Sequence, residues 1–306
     1  MQNRKNPSVT DTNFLFLVIA VLLLTLGSWV QSKDTYIGLI ITEYLIILFP
    51  VVYYLNRRGY NLKEFLRLNR LTLKQIKYIV LIVIFSYPIA VFLNYIGILF
   101  LSRFGRIMPN PIPIPSNIKE YLLSFIVIAL TPGICEEVMF RGMIMRTYEV
   151  YGRKKAIILS AVLFGLFHFN LQNLLGPIFL GLMFGVLVSK TKSLLSSIIG
   201  HIVNNTVALT IGFLSNDIQK ASTDIMPDTS VIAYGSFVLG IIALLFWLIV
   251  RKLLISFPVD TNEAYMLDEE DGAISSIKTG MRIIDIIPIA IIIIIFLVWS
   301  YIIYFA

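Results

Sequence analysis

Six polar residues stand inside otherwise apolar stretches of this chain: Glu136, Glu137, Arg141, His168, His201 and Asn205. An ionisable group at the centre of a bilayer costs about 2.5–3.5 kcal/mol on insertion scales, so such residues are functional candidates by default. His168 and His201 are the two histidines of the chain, and both fall where random placement would favour a loop instead. The residue types suit one kind of chemistry. A carboxylate in a poorly solvated cavity makes a better base near neutrality and can take a proton from water. An imidazole and a carboxamide are suitable donors to the oxyanion that forms when that water adds to a carbonyl.

The spacings have helical meaning, because residues four apart share a helix face while neighbours diverge by about 100°. Glu137 and Arg141 can therefore pair along one face, while Glu136 shares a face with Phe140 and is free to reach a cavity. Phe164 with His168 and His201 with Asn205 make two further four-residue steps. Thr131-Pro132-Gly133 predicts a break and restart, with Thr131 as N-cap and Pro132 at the first helical position. The restarted helix would bring its positive end near Glu136. Taken singly, each feature has a bland account. Glu137 with Arg141 would be a buried ion pair without catalytic meaning, and a lone membrane histidine or Asn205 would be a helix–helix hydrogen bond. Cys135, the single cysteine, reads as a small packing residue rather than the nucleophile of a Cys–His pair. Glu43, in the outer half of its apolar stretch, has no visible partner in the sequence and carries no functional reading.

The elements that must position these residues are membrane helices. Of 306 residues, 58% are hydrophobic and 14% charged, with mean hydropathy +0.85; a soluble domain carries about 25% charged residues. Spanning a bilayer takes about 20 apolar residues. Nine stretches qualify, at 13–31, 36–55, 77–101, 119–140, 156–170, 173–189, 194–214, 230–250 and 285–305, the fifth and sixth being short and nearly continuous. The fold class is all-α: a polytopic transmembrane bundle of eight to nine spans with a polar intramembrane cavity between the fourth, fifth and seventh. Gly181 and Gly185 form a G-x-x-x-G step for close helix packing, with Gly176 of the same kind, and Ile291–Ile295 reads as lipid-facing.

With the N-terminus inside, twenty of the 25 Lys and Arg residues lie on the inner side and five on the outer. This strong positive-inside bias makes the N-terminus cytoplasmic. The same distribution excludes nucleic acid as a partner, since the basic residues sit in short loops rather than an aromatic-basic patch. The first stretch follows Arg4 and Lys5 but is longer than a signal-peptide core and has no A-x-A-like site, so it reads as a retained anchor. The Pro109–Pro115 segment is a stiff outer connector that could border a substrate entrance, and Asp268–Asp271 is an acidic solvated face in an inner loop. Three regions follow: 1–117 with N-terminal helices and a basic loop, 118–215 with the chemistry-bearing core, and 216–306 with C-terminal helices and the acidic loop.

Glu136-Glu137-Val138-Met139-Phe140-Arg141 resembles the EExxxR motif of the CPBP family, the CAAX prenyl proteases and bacteriocin-processing (ABI) enzymes. Phe164-Gly165-Leu166-Phe167-His168 resembles its FxxxH motif, and His201-Ile202-Val203-Asn204-Asn205 its HxxxN/D motif. The resemblance covers about residues 118–215. It implies an intramembrane endopeptidase in which Glu136 activates water, His168 helps hold that water, and His201 and Asn205 stabilise the oxyanion. Glu137 and Arg141 are then a structural pair supporting the helix that presents Glu136. The alternative is a non-hydrolytic scaffold or a bacteriocin-immunity or signalling protein of the same family, with a transporter a distant third.

The family's customary name, metalloprotease, raises zinc as a cofactor, with Glu136, His168 and His201 as its ligands. The chain has no H-E-x-x-H, and an oxyanion hole accounts better for His201 with Asn205, so no metal is assigned. The expected partners are membrane lipid and a peptide or protein substrate reached from lipid or the cytoplasmic side. An Ile- and Lys-rich chain points to a bacterial cell membrane, where lipopeptide, pheromone or bacteriocin precursors are better candidates than prenylated CAAX proteins.

Overall fold

The computed structural model describes residues 7–109, 113–221 (backbone only beyond 215), 229–259 and 280–306. The described residues are helical throughout, without strands. Seven helices are long and apolar enough to cross a membrane: α1 Val9–Lys33, α2 Thr35–Arg57, α3 Leu73–Phe104, α4 Ile118–Tyr151, α7 Leu195–Ala221, α8 Thr229–Ile255 and α9 Ile283–Tyr304. Two shorter ones, α5 Arg153–Phe167 and α6 Leu175–Thr191, have 15 and 17 residues. At 1.5 Å per residue they reach about 22 and 25 Å, short of the roughly 30 Å hydrocarbon layer. The chain is an integral, multi-pass membrane protein. Each of the nine stretches read from the sequence corresponds to one helix.

The short fifth helix matters for the site. Ending at Phe167, α5 places His168 at the cavity, and the connection that follows carries Gln172 to Met108. The glycines let α6 lie against α5: a Cβ on Gly181 would meet Ala161 Cα at 2.9 Å. A Cβ on Gly133 would likewise meet Ile202 Cγ1 at 2.6 Å, so α4 and α7 touch beside Glu136 only because that residue is glycine.

One core joins α1, α4, α5 and α9. Phe16 of α1 packs its ring 5.8 Å from Phe140 and 5.7 Å from Phe167, and Ile292 and Phe296 of α9 belong to the same cluster. The run Ile291–Ile295 is therefore lipid-facing only in part, because Ile292 turns inward while Ile293 and Ile294 are exposed. Near one end, Tyr148 donates to Asn13 Oδ1 (2.7 Å) and Asn13 Nδ2 to the Asp285 carbonyl (2.7 Å), tying α4, α1 and α9 together.

That end also carries Arg58 on Asp11 (2.7 Å), Arg67 on Glu149 and the Leu194 amide on the Arg67 carbonyl (3.0 Å). At the other end Met108 and Gln172 exchange two hydrogen bonds (3.0 and 3.2 Å), and the Arg106 amide donates to the Tyr304 carbonyl (2.9 Å). The basic loops thus gather at one end of the bundle. Arg141, counted with them from the sequence, is instead buried within α4.

The expected break at Thr131 does not form. α4 runs unbroken from Ile118 to Tyr151, with wider π-helical stretches at Phe125–Leu130 and Val138–Met145. Thr131 has helical backbone angles and its hydroxyl donates to the Ile126 carbonyl (2.9 Å) instead of capping. Pro132 lacks the N–H that would serve the Ile128 carbonyl; the wide turn absorbs the proline, and Asn205 Nδ2 donates to that carbonyl at 3.1 Å. No helix N-terminus points at Glu136. The acidic run 268–271 and Asn110–Ile112 of the proline-rich connector lie outside the described residues.

Candidate active site

A cavity of about 640 Å³ is lined by Glu136 of α4, His168 at the end of α5, and His201 and Asn205 of α7. Leu39 and Glu43 of α2 and Tyr87 of α3 line it too, so five elements build it, not the three anticipated. A second cavity of about 260 Å³ shares Leu39, Glu43, Glu136 and His168 with the first. The lining continues along Ala208, Ile211, Gly212 and Ser215 to Pro113, Ile114 and Pro115. Ile114 and Ile211 are exposed there, which marks the mouth at the end of the bundle away from the basic loops.

Behind the cavity lies a fully buried charge network. Arg141 Nη1 donates to Glu137 Oε1 (2.8 Å), and neither side chain is exposed. His201 Nδ1 donates to the same oxygen (2.9 Å), and Ser197, whose hydroxyl donates to the Leu194 carbonyl (3.1 Å), lies beside Glu137. Among the described residues Arg141 has this one ion-pair contact, and its Nε and Nη2 have no hydrogen-bond partner. Aromatic faces surround it instead: its guanidinium lies 4.5 Å from the Phe164 centroid and 5.3 Å from that of Phe184. The negative ring faces compensate part of the charge. Phe184 also stacks on His201 (5.4 Å) and Phe164 meets both histidine rings edge-on. The histidine planes are therefore set by packing as well as by hydrogen bonds.

These contacts decide which nitrogens reach the cavity. A paired carboxylate only accepts, so His201 Nδ1 carries a proton and its Nε2 is the free atom, 4.0 Å from Glu136 Oε2. That separation exceeds a hydrogen bond. His168 Nδ1 meets the Phe164 carbonyl (2.8 Å), and its exposed ring turns Nε2 outward by the same reasoning. Asn205 spends one amide hydrogen on Ile128 and its carbonyl on Asn204 Nδ2 (3.1 Å), keeping a second N–H. Glu136 Oε2 is buried without a hydrogen-bond partner.

The zinc set considered above does not assemble here. Among the described residues no three His, Cys, Asp or Glu side chains converge as a metal cage. Cys135 is free and fully buried, as a packing residue would be.

Sequence reasoning missed several residues. Phe184, Ser197 and Tyr87 have no signal in the chain, because nothing local marks which aromatic or hydroxyl faces a given charge. Glu43 did carry a signal, being an ionisable group inside an apolar stretch. It is buried and faces Glu136 within carboxyl–carboxyl hydrogen-bonding reach.

A polytopic bundle holding a glutamate, two histidines and an asparagine around one intramembrane cavity is the class of protein this geometry defines. Residues 118–207 match the model of the Rce1-like family, type II CAAX prenyl endopeptidases. The chain is 30% identical over 145 residues to the "Putative membrane peptidase YdiL" of Bacillus subtilis (strain 168), covering 46% of this chain and 58% of that protein. No solved structure matches. Residues 118–207, which carry the three motifs, are thus the part of the chain similar to these membrane peptidases, and the chain spans 58% of the length of that relative.

Proposed function

We propose that this chain is an intramembrane endopeptidase that hydrolyses a peptide bond with water activated by Glu136. One observation carries the reading: Glu136, His168, His201 and Asn205, from three helices, line a single cavity. Water held between Glu136 and His168 adds to the scissile carbonyl carbon while Glu136 takes its proton. His201 through Nε2–H and Asn205 through its spare N–H receive the oxyanion; His201 does so with both ring nitrogens protonated, a state that Glu137 stabilises across Nδ1. The C–N bond then breaks, and the proton on Glu136 passes to the leaving amine. Removing one donor of this kind costs about 10²–10³ in kcat.

The match to CAAX endopeptidases and the apolar lining support a membrane-associated peptide or protein substrate, lipidated or a pheromone or bacteriocin precursor. The exposed Ile114 and Ile211 favour approach from lipid or from the face opposite the basic loops. By the positive-inside bias that face is outside and the N-terminus inside.

Comparing wild-type and Glu136→Gln membranes by peptidomics, then by cleavage of the peptides so found, tests the assignment. Expected is loss of cleavage with normal accumulation of the variant; near-normal turnover overturns Glu136 as the base. A silent wild type would favour the non-hydrolytic scaffold. The mechanism needs no metal. One zinc per chain, with activity lost on chelation and restored only by zinc, would replace it.

A further inference from the structure

The cavity holds a second carboxylate that this mechanism leaves unused. Glu43 sits on α2, outside the segment matched by the family model. It is 4% exposed, lines both cavities together with Glu136, and has an oxygen, Oε2, without any hydrogen-bond partner. Among the described residues no cation is placed against it. The ionisable groups facing it are Glu136 and Cys135 of α4 and, across the shared cavity, His168, while His201 faces Glu136 from α7.

Two buried carboxylates facing each other cannot both be ionised without strong mutual repulsion. Arg141, the nearby buried cation, is already committed to Glu137 on the far side of α4. A hydrogen bond between the two carboxyls exists only if one of them supplies a proton. Each member also keeps one buried oxygen without a hydrogen-bond partner.

We propose that Glu43 is a positioning residue for the water-activating site: it shares a single proton with Glu136 and, as the donor, holds that carboxylate in place at the cavity they both line. The inference rests on Glu136 as the base. The pair has a definite consequence for the cycle. When Glu136 accepts the proton of water, the dyad holds two protons, and it returns to one when the amine leaves. Glu43 ends the cycle in the state in which it began, with no net proton gained.

The shared proton can be read without any substrate. Infrared spectra of the purified protein in lipid, in H₂O and D₂O across a pH series, report the carbonyl stretch of a protonated carboxyl. Expected is a deuterium-sensitive band in the wild type that disappears in Glu43→Gln, because the remaining Glu136 then faces a neutral amide. In Glu136→Gln the band should persist, but at a shifted frequency and with a changed pH of disappearance, since its acceptor is no longer a carboxylate. A band unaffected by Glu43→Gln, or one whose frequency and titration ignore Glu136→Gln, overturns the proposal. If Glu43→Gln fails to fold, the Glu136→Gln spectrum alone decides. Because no turnover is measured, failure here is distinct from failure of the peptidase reading, which the cleavage assay tests separately.

Discussion

Arg141→Ala should destabilise the protein far more than an ordinary surface change. Both partners of the Glu137–Arg141 pair have no solvent exposure, and breaking a buried pair by removing one member costs about 3–5 kcal/mol, because the other is left charged and uncompensated. Part of that figure is the guanidinium's place against Phe164 and Phe184, an interaction worth roughly 2 kcal/mol when desolvated. The hydrogen bond from His201 still reaches Glu137 and holds the loss to about 4 kcal/mol or less. Replacing both members, Glu137→Gln with Arg141→Met, removes the stranded charge, so the double variant should be more stable than Arg141→Ala alone. It should still be inactive, because His201 has lost its anionic partner. Denaturant unfolding in mixed micelles measures the stabilities. An Arg141→Ala loss below about 1 kcal/mol, or a double variant weaker than the single one, would refute the account. Unchanged stability with lost activity would instead move Arg141 into the reacting set.

Asn205→Ala removes both the donor to the Ile128 carbonyl and the spare N–H, so kcat should fall about 10²–10³-fold with smaller change in KM; a loss confined to KM would assign Asn205 to substrate binding. Topology is readable by labelling single cysteines in a Cys135→Ala background: Lys154→Cys should react only from the cytoplasm and Lys119→Cys only from outside. Reversed labelling would invert the orientation and, with it, the side from which substrate arrives.

The membrane class and the helix count were legible in the chain, because apolar length must match bilayer thickness and no other residue order satisfies that constraint. The i, i+4 pairing of Glu137 with Arg141 was legible for a similar reason: helical periodicity alone brings those side chains together. Four candidates from three helices were named from type and spacing, and they do share a cavity. What the sequence could not decide is how elements distant along the chain meet. Pro132 looked like a helix break, yet a π-helical turn and an amide from α7, 73 positions downstream, together carry the helix through. Glu43 looked partnerless because its partner lies on α4, 93 positions away. Glu137 was read as the simple companion of an arginine, but packing gives it His201 as well, and that contact determines which imidazole nitrogen faces the cavity. Local periodicity acts through neighbouring turns, whereas the protonation and aim of a buried polar group depend on whatever tertiary packing sets against it, and that is a property of the assembled bundle.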